Sequence, residues 1–514
     1  MTTKIKSTDL FTIKQICVLG ALLGYLAWTS VPGLLQEYSL WRDEIFTAAF
    51  ISDTWGTMLS EWIGPDVHPP LYFVMIKTWS AALGTSELAL RGFSFVFSVA
   101  TLLLLWFNWC RTKRLQRLLS LLFIAANSSF LYYSQEARSY SLVLFLSIAL
   151  LLRTMDSQYL DRNVTSTQRQ NAILTYGLCI TLSLTHYFGF ILAGTVLVID
   201  CWKPKISGSV RRSIETLVLV MLWPTFHVGV LGQLGDVQRE QLGNLAGTIT
   251  PVWGTLETYV YSCLHFIHSG IRPLNILMST LLILPALYYL TKPRVHSWSQ
   301  AKHSYSDFSY SASIILIVLS FLVAIDPFWP ISTSRNLIIL LFPTSILFGT
   351  IFEGLLISPL KAGKKFFGLL GLTSIALILL LSSKISTANL TQKINYQVDY
   401  KSLAAFVRKE KICMKGCATL DYDPNGNQWG DRIDDYYFSG LNLVKYEQSA
   451  NRSIPIIGSL KIQEEINTLA NAYPEATLVR ACKEPINENQ RTPFILVPQK
   501  SKIRPDQRSC IPRI

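Results

Sequence analysis

Residues 13–44 read IKQICVLGALLGYLAWTSVPGLLQEYSLWRDE, and the junction inside this stretch decides the fold. An apolar run over 13–35, long enough to cross ~30 Å of hydrocarbon, is followed within a few residues by Trp41-Arg42-Asp43-Glu44. An ionised carboxylate beside a bilayer is costly unless it faces water, a partner or a substrate, so two adjacent acids at such a junction mark a functional site. Asp43 is the candidate catalytic residue.

The apolar pattern recurs outward from there. Half of the 514 residues are hydrophobic and only 15% are charged, a balance that points to a mainly α, polytopic membrane protein. Spans are expected at 13–35, 86–108, 118–133, 140–153, 171–186, 187–201, 214–233, 273–291, 310–326, 336–357 and 366–383, giving about eleven transmembrane helices. One long helix could replace the pair at 171–201, whose outer turn at His186-Tyr187 is short.

Basic residues orient these spans, because Lys and Arg flanking a span are retained in the cytoplasm. Lys4, Lys6 and Lys14 precede the first span, and alternate loops hold Arg111, Lys113, Arg114 and Arg117, then Arg153, Arg162 and Arg169, then Lys203, Lys205, Arg211 and Arg212. The intervening loops are poor in cations. The amino terminus is therefore expected inside a cytoplasmic membrane and the carboxyl terminus outside. On this account the net charge of +13 is a topology signal, and nothing calls for a nucleic-acid partner. The first span lacks a small-residue cleavage site and reads as a retained anchor.

Residues 1–383 thus form a transmembrane module with an outer loop at 36–85. Residues 384–514 change character, with frequent charges and the turn signal Asp423-Pro424-Asn425-Gly426. Helical patterns near Tyr400-Lys409 and Leu460-Ala470, with apolar runs at Cys417-Leu420 and Pro493-Val497, predict a small soluble α/β domain on the outer face. Cys413, Cys417, Cys482 and Cys510 fall there, which permits two disulfides in any of three connectivities. A zinc site is the competing reading, against which Cys-x3-Cys has no matching second pair or nearby histidine. Cys17, Cys110, Cys179, Cys201 and Cys263 lie in or beside spans as small hydrophobes.

Chemistry-bearing residues gather on the expected outer side. After Asp43 and Glu44 come His68-Pro69-Pro70-Leu71-Tyr72, then Gly84-Thr85-Ser86-Glu87 with Arg91, then the polar hairpin Tyr132-Tyr133-Ser134-Gln135-Glu136-Ala137-Arg138-Ser139-Tyr140, then His186-Tyr187, and finally Arg335-Asn336. A cavity roofed by these loops is the simplest explanation. Taken singly, each residue has a plainer account. The acid pair could be a helix start favoured by the helix dipole, His68-Pro69-Pro70 an ordinary turn, and His186 a hydrogen-bonded interfacial residue. Tyr72 and Trp79 could belong to an interfacial aromatic belt, and Arg138 and Arg335 could snorkel to headgroups.

As a set, Trp41-Arg42-Asp43-Glu44, His68-Pro69-Pro70-Leu71-Tyr72, the Gly84, Ser86, Glu87 and Arg91 stretch and the Tyr133–Tyr140 stretch resemble the integral-membrane glycosyltransferases of the GT-C class. The branch is that of protein O-mannosyltransferases and lipid A aminoarabinose transferases, the glycosyltransferase family 39-like group. The resemblance covers most of residues 35–200; further on it rests on hydropathy and Arg335, where this chain has Arg335-Asn336 in place of an Arg-Tyr pair. It implies inverting transfer of a sugar from a polyprenyl-phosphate carrier to a lipid, glycan or protein acceptor at the outer face of the membrane. Independently, no Gly-rich phosphate loop or nucleotide-binding domain precedes the spans, which argues against a cytosolic nucleotide sugar.

By the resemblance, Asp43 is the general base on the acceptor hydroxyl. Adjacent helical residues point about 100° apart, so Glu44 is left to orient the acceptor or restrain Arg42. Arg138 is the first choice for the donor phosphate and Arg335 the second, because a guanidinium offers paired charge-assisted hydrogen bonds. His68 and Tyr133 are expected sugar or phosphate contacts, with Glu136 and His186 also lining the substrate site. No tight set of acids and histidines calls for a metal, although a divalent ion is compatible with the chemistry. A transporter or flippase is the alternative; it predicts charges at the midplane of broken helices and internal symmetry, neither of which is evident. A noncatalytic scaffold built on the outer domain is a third reading.

Overall fold

The computed structural model describes residues 7–35, 39–62, 68–112, 114–157, 165–201, 213–222, 224–225, 255–256, 258–259, 299–326, 335–361, 400–411, 417–419, 441, 443–445, 456–460, 476–480 and 492–498. The chain divides into two units. The first comprises Met1–Pro32, Trp55–Trp79 and Arg91–Asn389, and the second Gly33–Thr54, Ser80–Leu90 and Leu390–Ile514.

Helices dominate. In chain order they are α1 (Ser7–Leu35), α2 (Arg42–Ser52), a short α3 (Trp55–Thr57) running into a π-helical turn (Met58–Trp62), α4 (Leu71–Leu83), α5 (Glu87–Thr112), α6 (Leu115–Ala126), α7 (Ser128–Tyr133), α8 (Tyr140–Ser157), α9 (Thr165–Ser183) and α10 (Tyr187–Cys201). They continue with α11 (Ser213–Leu222), α12 (Ser299–Ile325), a 3₁₀ segment (Asn336–Leu340) leading into α13 (Leu341–Lys361), and α14 (Tyr400–Lys409). Among the described residues, three helical stretches are long and apolar enough to cross a membrane: Glu87–Thr112, Ser306–Ile325 and Asn336–Glu353. The last is 83% buried within the protein against 44% and 39% for the others, so it is a core element while they present apolar faces outward. Trp28, Phe107 and Leu316 are among the large apolar side chains left exposed on such faces. A hydrocarbon surround solvates them without cost.

Close helix contacts follow from small residues. Gly349 of α13 lies so near α6 that a Cβ there would collide with the Gln116 carbonyl and approach Ser120 Oγ to 2.8 Å. The Ser120 hydroxyl, in turn, lies 2.9 Å from the Ser345 carbonyl, and Gln116 Nε2 donates to Thr350 Oγ1 at 2.6 Å. Small residues that let backbones approach, with side-chain hydrogen bonds across the seam, are how helices associate where no hydrophobic driving force acts between them. Phe123 and Phe348 fill the same seam with ring centroids 4.7 Å apart.

Two sequence readings change in detail, and the paired reading of 171–201 is the one observed. The expected span 118–133 is broken at Asn127, whose side chain caps α7 by accepting from Ser129 N–H and Phe130 N–H; an amide oxygen at an N-cap outcompetes continuation of the apolar run. The stretch 171–201 is two helices, joined by a tight turn in which Gly189 Cβ would come within 2.5 Å of the Leu182 carbonyl. The helix expected near 460–470 loses its first residue to a strand ending at Leu460, and its remainder lies outside the described residues, as do the spans placed at 273–291 and 366–383, the part of 214–233 beyond 225, and Cys413, Cys482 and Cys510.

In the second unit, α14 turns Leu403, Ala404 and Val407 inward, the i, i+1, i+4 spacing of one helical face. Its start is tied down where the Lys401 N–H donates to Ser39 Oγ at 2.9 Å, and Lys401 Nζ lies 3.6 Å from Glu87. Five strands, β1 (Cys417–Thr419), β2 (Leu443–Lys445), β3 (Ile456–Leu460), β4 (Ala476–Arg480) and β5 (Thr492–Pro498), form one sheet in the order β2-β1-β3-β5-β4. β1 runs parallel to β2 and β3, and β5 runs antiparallel to β3 and β4, pairing Leu496 with Ile456 on one side and Leu478 on the other.

Candidate active site

Asp43 and Glu44 both sit in the first turn of α2, in the second unit. Glu44 is fully buried and its carboxylate reaches back to accept the Trp41 N–H at 3.1 Å, the acidic half of a capping box. One member of the acid pair therefore fixes where the helix begins. Asp43 remains half-exposed in the first turn of α2.

The other expected residues lie in the first unit, and the structure brings several of them together. The prolines of His68-Pro69-Pro70 cannot donate, and the first free N–H, that of Leu71, donates to the Leu184 carbonyl at 2.9 Å. That bond pins the start of α4 to the turn between α9 and α10, setting the His68 and His186 rings 5.6 Å apart, edge to face. Tyr140 stands 5.8 Å from His186, and Tyr133 4.7 Å from Tyr140. Arg138 completes the group, with Nη2 3.1 Å from His68 Nε2.

Those contacts fix two tautomers. A guanidinium only donates, so His68 Nε2 accepts and its proton sits on Nδ1. Phe188 N–H donates to His186 Nδ1 at 3.1 Å, which leaves the His186 proton on Nε2. Burial in this turn holds the His186 imidazole well below its usual range, and His68, Arg138 and Arg335 act in the same direction. The His186 ring is neutral in this arrangement, and Arg138 and Arg335 carry fixed positive charge. Arg335 stands at the start of the 3₁₀ segment, and its charge is felt at both His186 and Tyr133.

The Tyr132–Tyr140 hairpin, which reads as a polar loop, is buried along its length: Ser134, Gln135, Glu136, Ala137, Arg138, Ser139 and Tyr140 are all inside. Buried backbone needs partners, and helices on either side supply them. Ser94 Oγ of α5 donates to the Glu136 carbonyl at 2.5 Å and lies 3.2 Å from that of Arg138; Ser141 Oγ donates to the Tyr133 carbonyl at 2.8 Å. Ser30 and Ser134 hydroxyls meet at 2.9 Å. Ser94 and Ser141 are positioning residues that the sequence does not announce, being single serines in apolar helices. Arg91 is also fully buried. Among the described residues, no three His, Cys, Asp or Glu side chains converge to hold a metal ion.

This assembly can receive an anion. It offers guanidinium charge, imidazole N–H donors and tyrosine rings in a water-poor setting where charge-assisted hydrogen bonds are strong.

No protein-family model matches the chain, and no curated protein matches it in sequence. Solved structures do match. ArnT from Cupriavidus metallidurans bound to undecaprenyl phosphate aligns with a TM-score of 0.52 at 13% identity, over 94% of this chain and 98% of that one. The apo ArnT of the same organism aligns with a TM-score of 0.51 at 14% identity, over 95% and 98%. The chain therefore has a membrane-protein fold like that of ArnT, along nearly its whole length.

Proposed function

We propose that the chain is an inverting glycosyltransferase that moves a sugar from a polyprenyl-phosphate carrier to a lipid, glycan or protein acceptor at the outer face of the cytoplasmic membrane. The observation that carries this reading is the Arg138–His68–His186 group, with Arg138 and His186 buried and His68 half-buried, within the fold shared with ArnT, an aminoarabinose transferase of the GT-C class crystallised with undecaprenyl phosphate. In this reading the helical part carries about eleven spans with the amino terminus inside, and residues 384–514 form an extracytoplasmic α/β domain.

Chemically, the acceptor oxygen attacks the anomeric carbon while the bond from that carbon to the phosphate oxygen breaks. Asp43 takes the proton of the acceptor hydroxyl, and polyprenyl phosphate departs with the bonding pair. Phosphate is already a good leaving group, so the demand on the protein is charge compensation, which Arg138 supplies with Arg335 behind it. His68 and Tyr133 contact the phosphate or sugar, and Glu136 and His186 shape the pocket. The hexose or pentose transferred is set by pocket shape.

The test is transfer of label from polyprenyl-phosphate sugar to endogenous acceptor in membranes. Asp43→Asn is expected to be expressed and to bind donor yet lose about 10²- to 10⁴-fold in rate, the usual worth of a general base. Undiminished transfer by that variant removes Asp43 from the mechanism. Solute movement in vesicles without covalent transfer by the wild type overturns the enzyme reading altogether.

A further inference from the structure

Asp43 shares a compact unit with the carboxyl-terminal sheet, formed by Gly33–Thr54, Ser80–Leu90 and Leu390–Ile514. Three helix starts meet inside that unit. Ser39 lies just before α2, Glu87 is the first residue of α5, and Lys401 is the second of α14. A helix leaves the N–H groups of its first turn without intrahelical acceptors. α14 finds one for the Lys401 N–H in Ser39 Oγ, 2.9 Å away although 362 positions distant in the chain, on a residue that is fully buried. The Lys401 side chain reaches Glu87 with Nζ 3.6 Å from Oε2, but that pair is partly exposed and contributes less than the buried bond. α14 itself lies against β5, with Tyr400, Leu403, Ala404 and Val407 buried, so the donor sits on a packed helix. From Ser39 the path to the acid is short. Leu40 is buried, and the Trp41 carbonyl accepts from the Glu44 and Ile45 N–H groups at 2.9 and 3.0 Å while its own N–H reaches the Glu44 carboxylate. The segment 39–44 is thus held at one end by α14 and at the other by the first turn of α2.

We propose that Ser39 is a positioning residue for Asp43: by accepting the Lys401 N–H it lets α14 set where α2 begins, and with it where the Asp43 carboxylate stands. The inference rests on the reading of Asp43 as general base. A base works only within hydrogen-bond reach of the proton it takes, so a shift in the start of α2 acts on the chemical step. Misplacement of a reacting group by about 1 Å, caused by a change far from the chemistry, lowers rates by as much as ~10²-fold. Ser39 acts through the backbone. Arg138, His68 and His186, the residues assigned to the donor, belong to the first unit, so donor affinity is not what this tie controls.

Full-length protein in nanodiscs tests it by transfer kinetics and by hydrogen–deuterium exchange. Ser39→Ala is expected to lower kcat about 10-fold with the KM for polyprenyl-phosphate sugar unchanged. Amide exchange over residues 39–48 should quicken by about 10-fold in the same variant, as the start of α2 opens more often. Ser39→Thr, which restores an acceptor hydroxyl, should recover part of both. In the Asp43→Asn background Ser39→Ala should lower kcat no further, whereas general loosening of the fold would act in either background. Should Ser39→Ala fail to fold, the near-isosteric Ser39→Cys, a weak acceptor, carries the same expectations. Unchanged exchange over 39–48 overturns the proposal whatever the enzyme does, because that readout needs no sugar transfer. Faster exchange with unchanged kcat, in an enzyme that Asp43→Asn inactivates, overturns it as well and leaves the base assignment standing.

Discussion

The two ends of α8 treat buried arginine in opposite ways. At its carboxyl end Arg117 and Arg114 share the Asp307 carboxylate, which offsets part of their charge inside the protein. At its amino end Arg138 meets the His68 imidazole, which accepts a hydrogen bond and brings no negative charge. The first arrangement holds helices together. The second sets a guanidinium beside an imidazole, in the same buried hairpin as Glu136.

The hardest test of this contrast is Asp307→Ala, which removes the carboxylate that two guanidinium groups share; breaking a buried ion pair from one side costs about 3–5 kcal/mol. Thermal unfolding in detergent should show that loss. Arg138→Gln should behave the other way round, cutting transfer by roughly 10²-fold, about 2.7 kcal/mol in the barrier, with a smaller drop in melting temperature than Asp307→Ala. Equal destabilisation by the two variants would erase the distinction. Gly349→Val probes the seam between α6 and α13: added methyls meet the Gln116 carbonyl, for an expected loss of about 1–3 kcal/mol, read by denaturation and independent of acidity.

The gentlest effect is on pH dependence. Because His186 is held below 6.5 in the folded protein, the unfolded chain takes up a proton that the native ring refuses once the pH falls under that value. Acid therefore favours unfolding, by up to about 1.4 kcal/mol per pH unit from this residue, until the pH reaches the depressed native value. His186→Gln should flatten that part of the stability profile, and an unchanged slope would show the ring to be solvated.

Much of this was legible in the chain and some of it was not, for physical reasons. Apolar runs located α5, α8, α12 and α13 because a helix in lipid needs continuous hydrophobicity. Asn127 escaped notice because one capping amide in an apolar run looks like a tolerated polar residue. The Tyr132–Tyr140 hairpin reads only as polar from its composition; its buried carbonyls are met by Ser94, some forty residues away and silent in any local pattern. Trp41-Arg42-Asp43-Glu44 reads as a functional site, with a helix start as its plainer account; α2 does start there, yet nothing in the letters says that Glu44 closes onto Trp41 while Asp43 stays half-exposed.

One consequence of the paired rings follows from their occupied nitrogens. With His68 Nε2 engaged by Arg138 and His186 Nδ1 engaged by Phe188, what each imidazole has left to offer is hydrogen, never a lone pair. Neither histidine can deprotonate an incoming nucleophile in this state. For the proposed reaction this leaves the base to an oxygen, and the two backbone-anchored turns to the giving of hydrogen.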